Sequence, residues 1–319
     1  MAEVCIFNPW HDMALAYGRK PFTPPQIAVK MYERLKDIAD LWNDESGYIL
    51  PWGWDYYTKR WLVKQGYDEG RMPADKEIEH LRDLSNRKTY IPMLEDLRKI
   101  PGTVGEAHYV TTIDAVDDGM VVKAPWSSSG RGVRVYTGED EWLKKIISRQ
   151  GGVMVEPYYE KVKDFAMEFM WDGLSVEYLG LSLFRNVDGR SAYDGNIVAS
   201  EERKMRMLED YVQRSLVDEI RERIKILLKQ ILNGLSIATP LGVDMMIVRD
   251  GNGYAVHPCV EVNLRRTMGY VAIKIYERKL KEKQKYDTEN EEDNIAFFNV
   301  DAAGGKWTIR QSGMESRQW

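Results

Sequence analysis

The 319-residue sequence is poor in the residues that most often announce a function. Its two cysteines, Cys5 and Cys259, both lie in apolar runs, which excludes a disulfide scaffold and reads as two buried thiols in a reducing compartment. No Cys/His spacing fits a structural zinc site. No apolar run approaches the ~18–20 residues of a bilayer span. The first ten residues, MAEVCIFNPW, have neither a basic segment nor a long apolar one, so no secretory signal is expected and a cytoplasmic location is. Positive charge is in deficit: 45 Lys and Arg against 50 Asp and Glu leave a net −5, without the basic excess of a nucleic-acid binder. The expectation is therefore no nucleic-acid partner and no membrane partner. No G-x-x-x-x-G-K-[ST] stretch occurs, which excludes a Walker A loop. Internal repeats and low-complexity tracts are also missing.

What is present is a globular composition, 44% hydrophobic and 30% charged, long enough for a sizeable core in one to three domains. Ten Trp and eighteen Tyr supply wide apolar or stacking surfaces without naming a ligand. EVCIFN reads as a first strand and GYILPWG as a second. Between them QIAVKMYERLKDIADLW carries Ile27, Met31, Leu35, Ile38 and Leu41 at helical spacing. Further helices are expected near Tyr57–Gln65 and Asp75–Leu84, closing a small βαβ-like unit at residues 1–84. Residues 85–160 hold a β-loop-β-α-β pattern. Residues 161–275 are mostly antiparallel hairpins, turning at Asp172-Gly173 and at residues 250–253, with one long helix over Met205–Leu235. In that helix Leu216, Ile220, Ile224, Leu227, Ile231 and Leu235 form the expected apolar stripe. Residues 276–319 read as a helix end, a charged linker and a short hairpin from IAFFNV and KWTIR. The fold class expected is α/β with α+β elements.

Two features carry chemistry. In VVKAPWSSSGRGVRVY a strand ends on Lys123 and a Ser/Gly loop leads to the next strand. Such a loop lets backbone N–H groups approach an anion, with the lysine as a fixed point charge. Taken alone, it reads equally as an ordinary hairpin turn. In VDMMIVRDGNGYAVHPCVEVN, counting back from the turn places Asp244 and Glu261 near one level, and period two puts Asn263 on the face of Glu261. Three oxygen donors on one face suit Mg²⁺. A polar outer face paired with Arg265 and Arg266 is the alternative.

In order and spacing, the stretch from Ser85 to Tyr270 resembles the ATP-grasp superfamily. The resemblance implies an ATP-grasp fold behind an N-terminal Rossmann-like α/β domain. It implies that Lys123 meets the α-phosphate side of ATP. Ser127, Ser128, Ser129, Gly130 and Gly132 would form a loop closing over the phosphates. Glu156 would meet the adenine edge with Pro157 and Tyr158 nearby, and Asp164 the ribose. Asp244, Glu261 and Asn263 would be the Mg²⁺ ligands, with Mn²⁺ as a possible substitute, and Arg265 the catalytic arginine. A first ATP-contacting lysine falls in LSNRKTYIPML, at Lys88 or, in another alignment, at Arg87. Two departures stand out: no Asp precedes that lysine, and Leu264 replaces the common proline after the asparagine.

The activity this implies is an ADP-forming ligase that activates a carboxylate as an acylphosphate for attack by an amine or another nucleophile. Its partners would be those two small molecules, and a homodimer is possible. A non-catalytic ATP-binding module and a small-molecule kinase are the other classes that fit. His11 and Asp12, at the C-terminal end of the first strand, occupy a place where α/β sheets collect ligands, though a loop-capping pair fits too. Arg185, Tyr193, Asn196 and Lys204 belong to a polar stretch that reads as a substrate contact or as a solvated loop. His257 and the tryptophans Trp52, Trp54 and Trp61 read as packing.

Overall fold

The computed structural model describes residues 4–43, 48–127, 132–138, 141–186, 193–286, 296–301 and 306–311. Strand β1 (Val4–Ile6) leads through α1 (His11–Tyr17) and α2 (Gln26–Leu35) to β2 (Ile49–Pro51), which lies parallel to β1. Helices α3 (Tyr56–Lys64) and α4 (Asp75–Leu84) follow. Asp55 starts α3 by accepting the Thr58 N–H at 2.8 Å, as an N-cap should. The expected apolar stripe of α2 is corrected at its first two positions. Ile27 is 58% and Met31 36% exposed, while Ala28 and Leu35 are buried. Small Ala28 lets the helix approach Trp10, and a 3₁₀ turn over Lys36–Trp42 then buries Ile38 and Trp42.

Helix α5 (Ile91–Leu97) precedes a four-stranded antiparallel sheet of β3 (His108–Val110), β4 (Val121–Lys123), β5 (Val133–Val135) and β6 (Val153–Glu156), in the order β3-β6-β4-β5. Helix α6 (Glu141–Gln150) covers it, with Leu143 packed on Val122, Val153 and Val155.

The second sheet has seven antiparallel strands. These are β7 (Lys161–Trp171), β8 (Val176–Asn186), β9 (Tyr193–Val198), β10 (Thr239–Asp250), β11 (Gly253–Asn263), β12 (Ala296–Asp301) and β13 (Lys306–Gln311), in the order β11-β10-β7-β8-β9-β12-β13. The carboxy-terminal hairpin thus extends the sheet edge beyond β9. Alternation along β7 divides the two faces. Phe165, Met167 and Phe169 join Leu181, Leu183, Val243 and Met245 in the main core. Asp164, Ala166 and Glu168 share the other face with Ser182 and Asp244.

The expected single helix over Met205–Leu235 is two helices, α7 (Glu201–Glu209) and α8 (Arg214–Ile231). No glycine or proline breaks it. Val212, in the junction, is buried in the core, and Arg214 bridges Glu202 of α7 and Glu209. The buried face of α8 is Val217, Ile220, Ile224 and Leu228, with Leu216, Leu227 and Ile231 half-buried beside it. Helix α9 (Met268–Tyr286) starts over β8 and β9. Among the described residues no helix is long and apolar enough to cross a membrane.

These burial assignments are open to a direct measurement. Ile224→Ala, which empties a site with no exposure, should lower unfolding stability by about 2–5 kcal/mol. Ile27→Ala should stay within about 0.5 kcal/mol of wild type. Denaturant midpoints compare the two.

Candidate active site

The hairpin β10–β11 sets the centre of the site. Its two-residue turn is Gly251-Asn252, with Gly251 at φ +54°, where a side chain would be strained. Asp244 pairs with Glu261 and Gly242 with Asn263. A bulge between those rungs and the Met246–His257 rung absorbs two extra residues of β11. Asn263 Nδ2 donates to Asp244 Oδ2 at 3.1 Å, and Arg265 Nη2 donates to Asn263 Oδ1 at 2.9 Å. Arg265 is itself held from the amino-terminal unit, its Nε donating to both Asp12 oxygens at 3.0 Å.

Burial raises two carboxyls near this row. Burial, with Glu261 opposite, pushes Asp244 up to about 7. Burial also pushes Glu168 up to about 8, although it accepts the Thr267 hydroxyl at 2.7 Å. Burial works against the Asp12 anion too, but the Arg265 guanidinium outweighs it and holds this carboxyl below its usual range. Glu168 was missed by the sequence reading. Its signal was four-residue spacing from Asp164 on an alternating strand.

The small sheet supplies the opposing charges. Lys123, buried at the end of β4, donates to Glu156 Oε1 at 2.7 Å and to the Val260 carbonyl of β11 at 3.2 Å. The loop after it closes tightly. Ala124 N–H donates to the Gly132 carbonyl at 2.8 Å, and a Cβ on Gly132 would lie 2.3 Å from the Ser127 side chain. Ser128, Ser129 and Gly130 lie outside the described residues.

Of the two candidate basic residues, Arg87 points into the cleft. It is buried, with Nη2 donating to Glu261 Oε1 at 2.6 Å and Nη1 to Ser127 Oγ at 2.8 Å and to the Ala124 carbonyl. Lys88 is exposed, its ammonium 5.3 Å over the Tyr109 ring. Beyond Glu156, Pro157 is half-buried and Tyr158 is 67% exposed. Asp164 accepts from Lys161 at 2.6 Å on the face that carries Asp244.

The polar stretch binds itself. Arg185 pairs with Asp194, the Tyr193 hydroxyl donates to Asn196 at 2.5 Å, and buried Lys204 lies 3.3 Å from Glu201. Residues 187–192 lie outside the described residues. His257 is fully buried against Tyr159, and burial drives it down to about 3. Trp52 packs on Phe7 and Trp42.

Two crevices flank Glu261. One is lined by Arg87, Tyr90, Met154, Glu156 and Cys259. The Tyr90 hydroxyl and Arg87 Nε are buried there without hydrogen-bond partners among the described residues. The other is lined by His11, Asp12, Trp126, Ser127 and Asn263. A cleft thus runs between a small antiparallel sheet bearing Lys123 and Glu156 and a larger one bearing the acid row.

No protein-family model matches the sequence, nor does any curated protein. Solved structures similar to the chain include N5-carboxyaminoimidazole synthetase from Staphylococcus aureus complexed with ADP. That match has 14% identity, covers 92% of this chain and 74% of that one, and has a TM-score of 0.45. An L-amino acid ligase from Bacillus licheniformis matches at 11% identity over 93% and 78% of the two chains, with a TM-score of 0.46. Biotin carboxylase from Campylobacter jejuni matches at 12% identity over 79% and 58%, also at 0.46. Likeness at this level identifies neither a reaction nor a substrate.

Asp244 makes stability depend on pH in a definite sense. Folded, it keeps its proton up to about 7; its ordinary value is 3.8. Ionising it in the folded chain therefore costs stability, with no cost below about pH 4 and the full cost above about pH 7. Without divalent metal, Asp244→Asn should melt above wild type at about pH 8, and the difference should vanish below about pH 4, as read by thermal denaturation.

Proposed function

We propose that this chain is an ADP-forming, Mg-ATP-dependent ligase of the ATP-grasp type, which activates a carboxylate as an acylphosphate for attack by an amine or another nucleophile. The observation that carries the reading is the convergence of Lys123 and Arg87 with Asp244, Glu261 and Asn263 in one cleft beside Ser127.

The residues fit both ligands. Two carboxylates paired across a hairpin, one kept protonated near neutrality, lose their mutual repulsion when a cation lies between them. Among the described residues no three Asp, Glu, His or Cys side chains gather as metal donors; in this reading the Asn263 amide oxygen would be the third ligand. That oxygen now accepts from Arg265, and the amide must turn to present it. The unpartnered Tyr90 hydroxyl and Arg87 Nε are buried donors suited to an anionic or polar ligand. Mg²⁺, or Mn²⁺ in its place, would neutralise phosphate oxygens there.

The chain's own groups do the rest. Lys123 and Arg87 are now neutralised by Glu156 and Glu261, and both can turn to phosphate when those acids engage nucleotide and metal. Arg265, fixed by Asp12, offsets the charge that builds on the transferred phosphoryl group. By the ATP-grasp resemblance, the Ser/Gly loop would exclude water and protect the acylphosphate from hydrolysis.

The reading is tested by Mg²⁺-dependent ADP release across amino acids, peptides and other carboxylates. Asp244→Ala and Glu261→Ala should each lower turnover by about 100-fold or more, and Lys123→Met should weaken ATP use similarly. Unchanged turnover in the two acid variants would overturn the assignment. Tight Mg-ATP binding without ADP in any pool would indicate a binding module, and a stable phosphorylated product a kinase.

A further inference from the structure

One buried titratable cluster plays no part in holding nucleotide or metal. Asp55 has no exposure and sits at a hub of four donors. It accepts from Thr58 N–H and Oγ1, each at 2.8 Å, from Asn8 Nδ2 at 3.1 Å, and faces His11 Nδ1 at 3.4 Å. Asn8 is pinned in turn to the Gly53 carbonyl at 2.9 Å and to Thr58 Oγ1 at 2.9 Å. A carboxylate held this way favours the imidazole tautomer with the proton on Nδ1, in which Nε2 is the acceptor. A Cβ on Gly53 would lie 2.6–2.7 Å from Cε1, Nε2 and Cδ2 of His11, so only a glycine there lets the ring pack against the backbone. His11 lines the same crevice as Ser127, Glu261 and Asn263. Its charged surroundings are Asp55, Asp12 with its partner Arg265, and Glu261 across the crevice.

The geometry points to His11, positioned by Asp55, as the general base that prepares an amine nucleophile in this second crevice. The inference rests on the ligase reading and adds the class of the nucleophile and the path of its proton. An amine enters as its ammonium ion. It gives one proton to His11 Nε2, and Asp55 balances the resulting imidazolium. The freed lone pair forms the C–N bond at the acyl carbon. The tetrahedral adduct then breaks its C–O bond to phosphate, and the departing phosphate carries off the electron pair and the second N–H proton. His11 returns its proton to solvent. General-base assistance of this kind contributes about 10²–10⁴-fold.

Hydroxylamine separates this role from a structural one. It is largely uncharged near neutral pH and attacks acylphosphates without a base, giving a hydroxamate. With ATP, Mg²⁺ and the carboxylate panel, His11→Gln and Asp55→Asn should form hydroxamate within about threefold of wild type, while ligation to amino acids falls about 100-fold or more. Free imidazole should restore ligation to His11→Gly. Equal loss of both reactions, or loss of neither, overturns the assignment and leaves the ligase reading standing. Absence of both hydroxamate and ADP with the wild-type enzyme overturns the ligase reading and the assignment together.

Discussion

One guanidinium ties the two halves of the cleft together. Arg87 reaches from the turn before α5 to Glu261 on the large sheet and, with its other nitrogen, to Ser127 and the Ala124 carbonyl at the base of the Ser/Gly loop. The group is buried, so none of these partners can be lost to water without leaving an uncompensated charge. Loop position and acid-row charge are therefore coupled through a single side chain. Any ligand that takes over Glu261 also releases the loop's anchor, and any anion that draws Arg87 away uncovers Glu261.

Around that link the site is self-neutralised. Lys123 satisfies Glu156, Arg265 satisfies Asp12, and Asn263 bridges Asp244 and Arg265. Asp244 is the residue left over: its neighbours are an amide and another carboxylate, and burial keeps it protonated near neutrality. A folded protein accepts such a group where something else will compensate it. The adjacent crevices, the buried Tyr90 hydroxyl and His11 all border the same few residues of β11.

Much of this was legible locally. Asp244 and Glu261 are expected near one level and do pair, but a straight count from the Gly251-Asn252 turn would set Asp244 against Cys259; the two extra residues of the β11 bulge bring Glu261 opposite it. The Asp172-Gly173 turn, the β-loop-β-α-β order around Lys123 and the boundaries of α4 follow from turn chemistry and periodicity. Elements read wrongly are those where packing overrode pattern. Met205–Leu235 has unbroken helical character, yet it divides because Val212 is drawn into the core. Ile27 and Met31 keep helical spacing but face outward, because the smaller Ala28 fits closely beside Trp10.

By itself the sequence determined which chemistries were present and their order: a lysine before a Ser/Gly loop, an acid closing a later strand, and a hairpin bearing three oxygen donors. These depend on neighbours within one strand or one turn, where period and hydrogen-bond geometry leave few choices. The tertiary structure alone decided that Arg87 rather than Lys88 enters the cleft, that Asp12 holds Arg265, and that Asp55 stands behind His11. Those contacts join residues 174, 253 and 44 positions apart. Such pairings exist only after the core has fixed every intervening element, because side-chain contact over that separation is set by packing and not by local spacing.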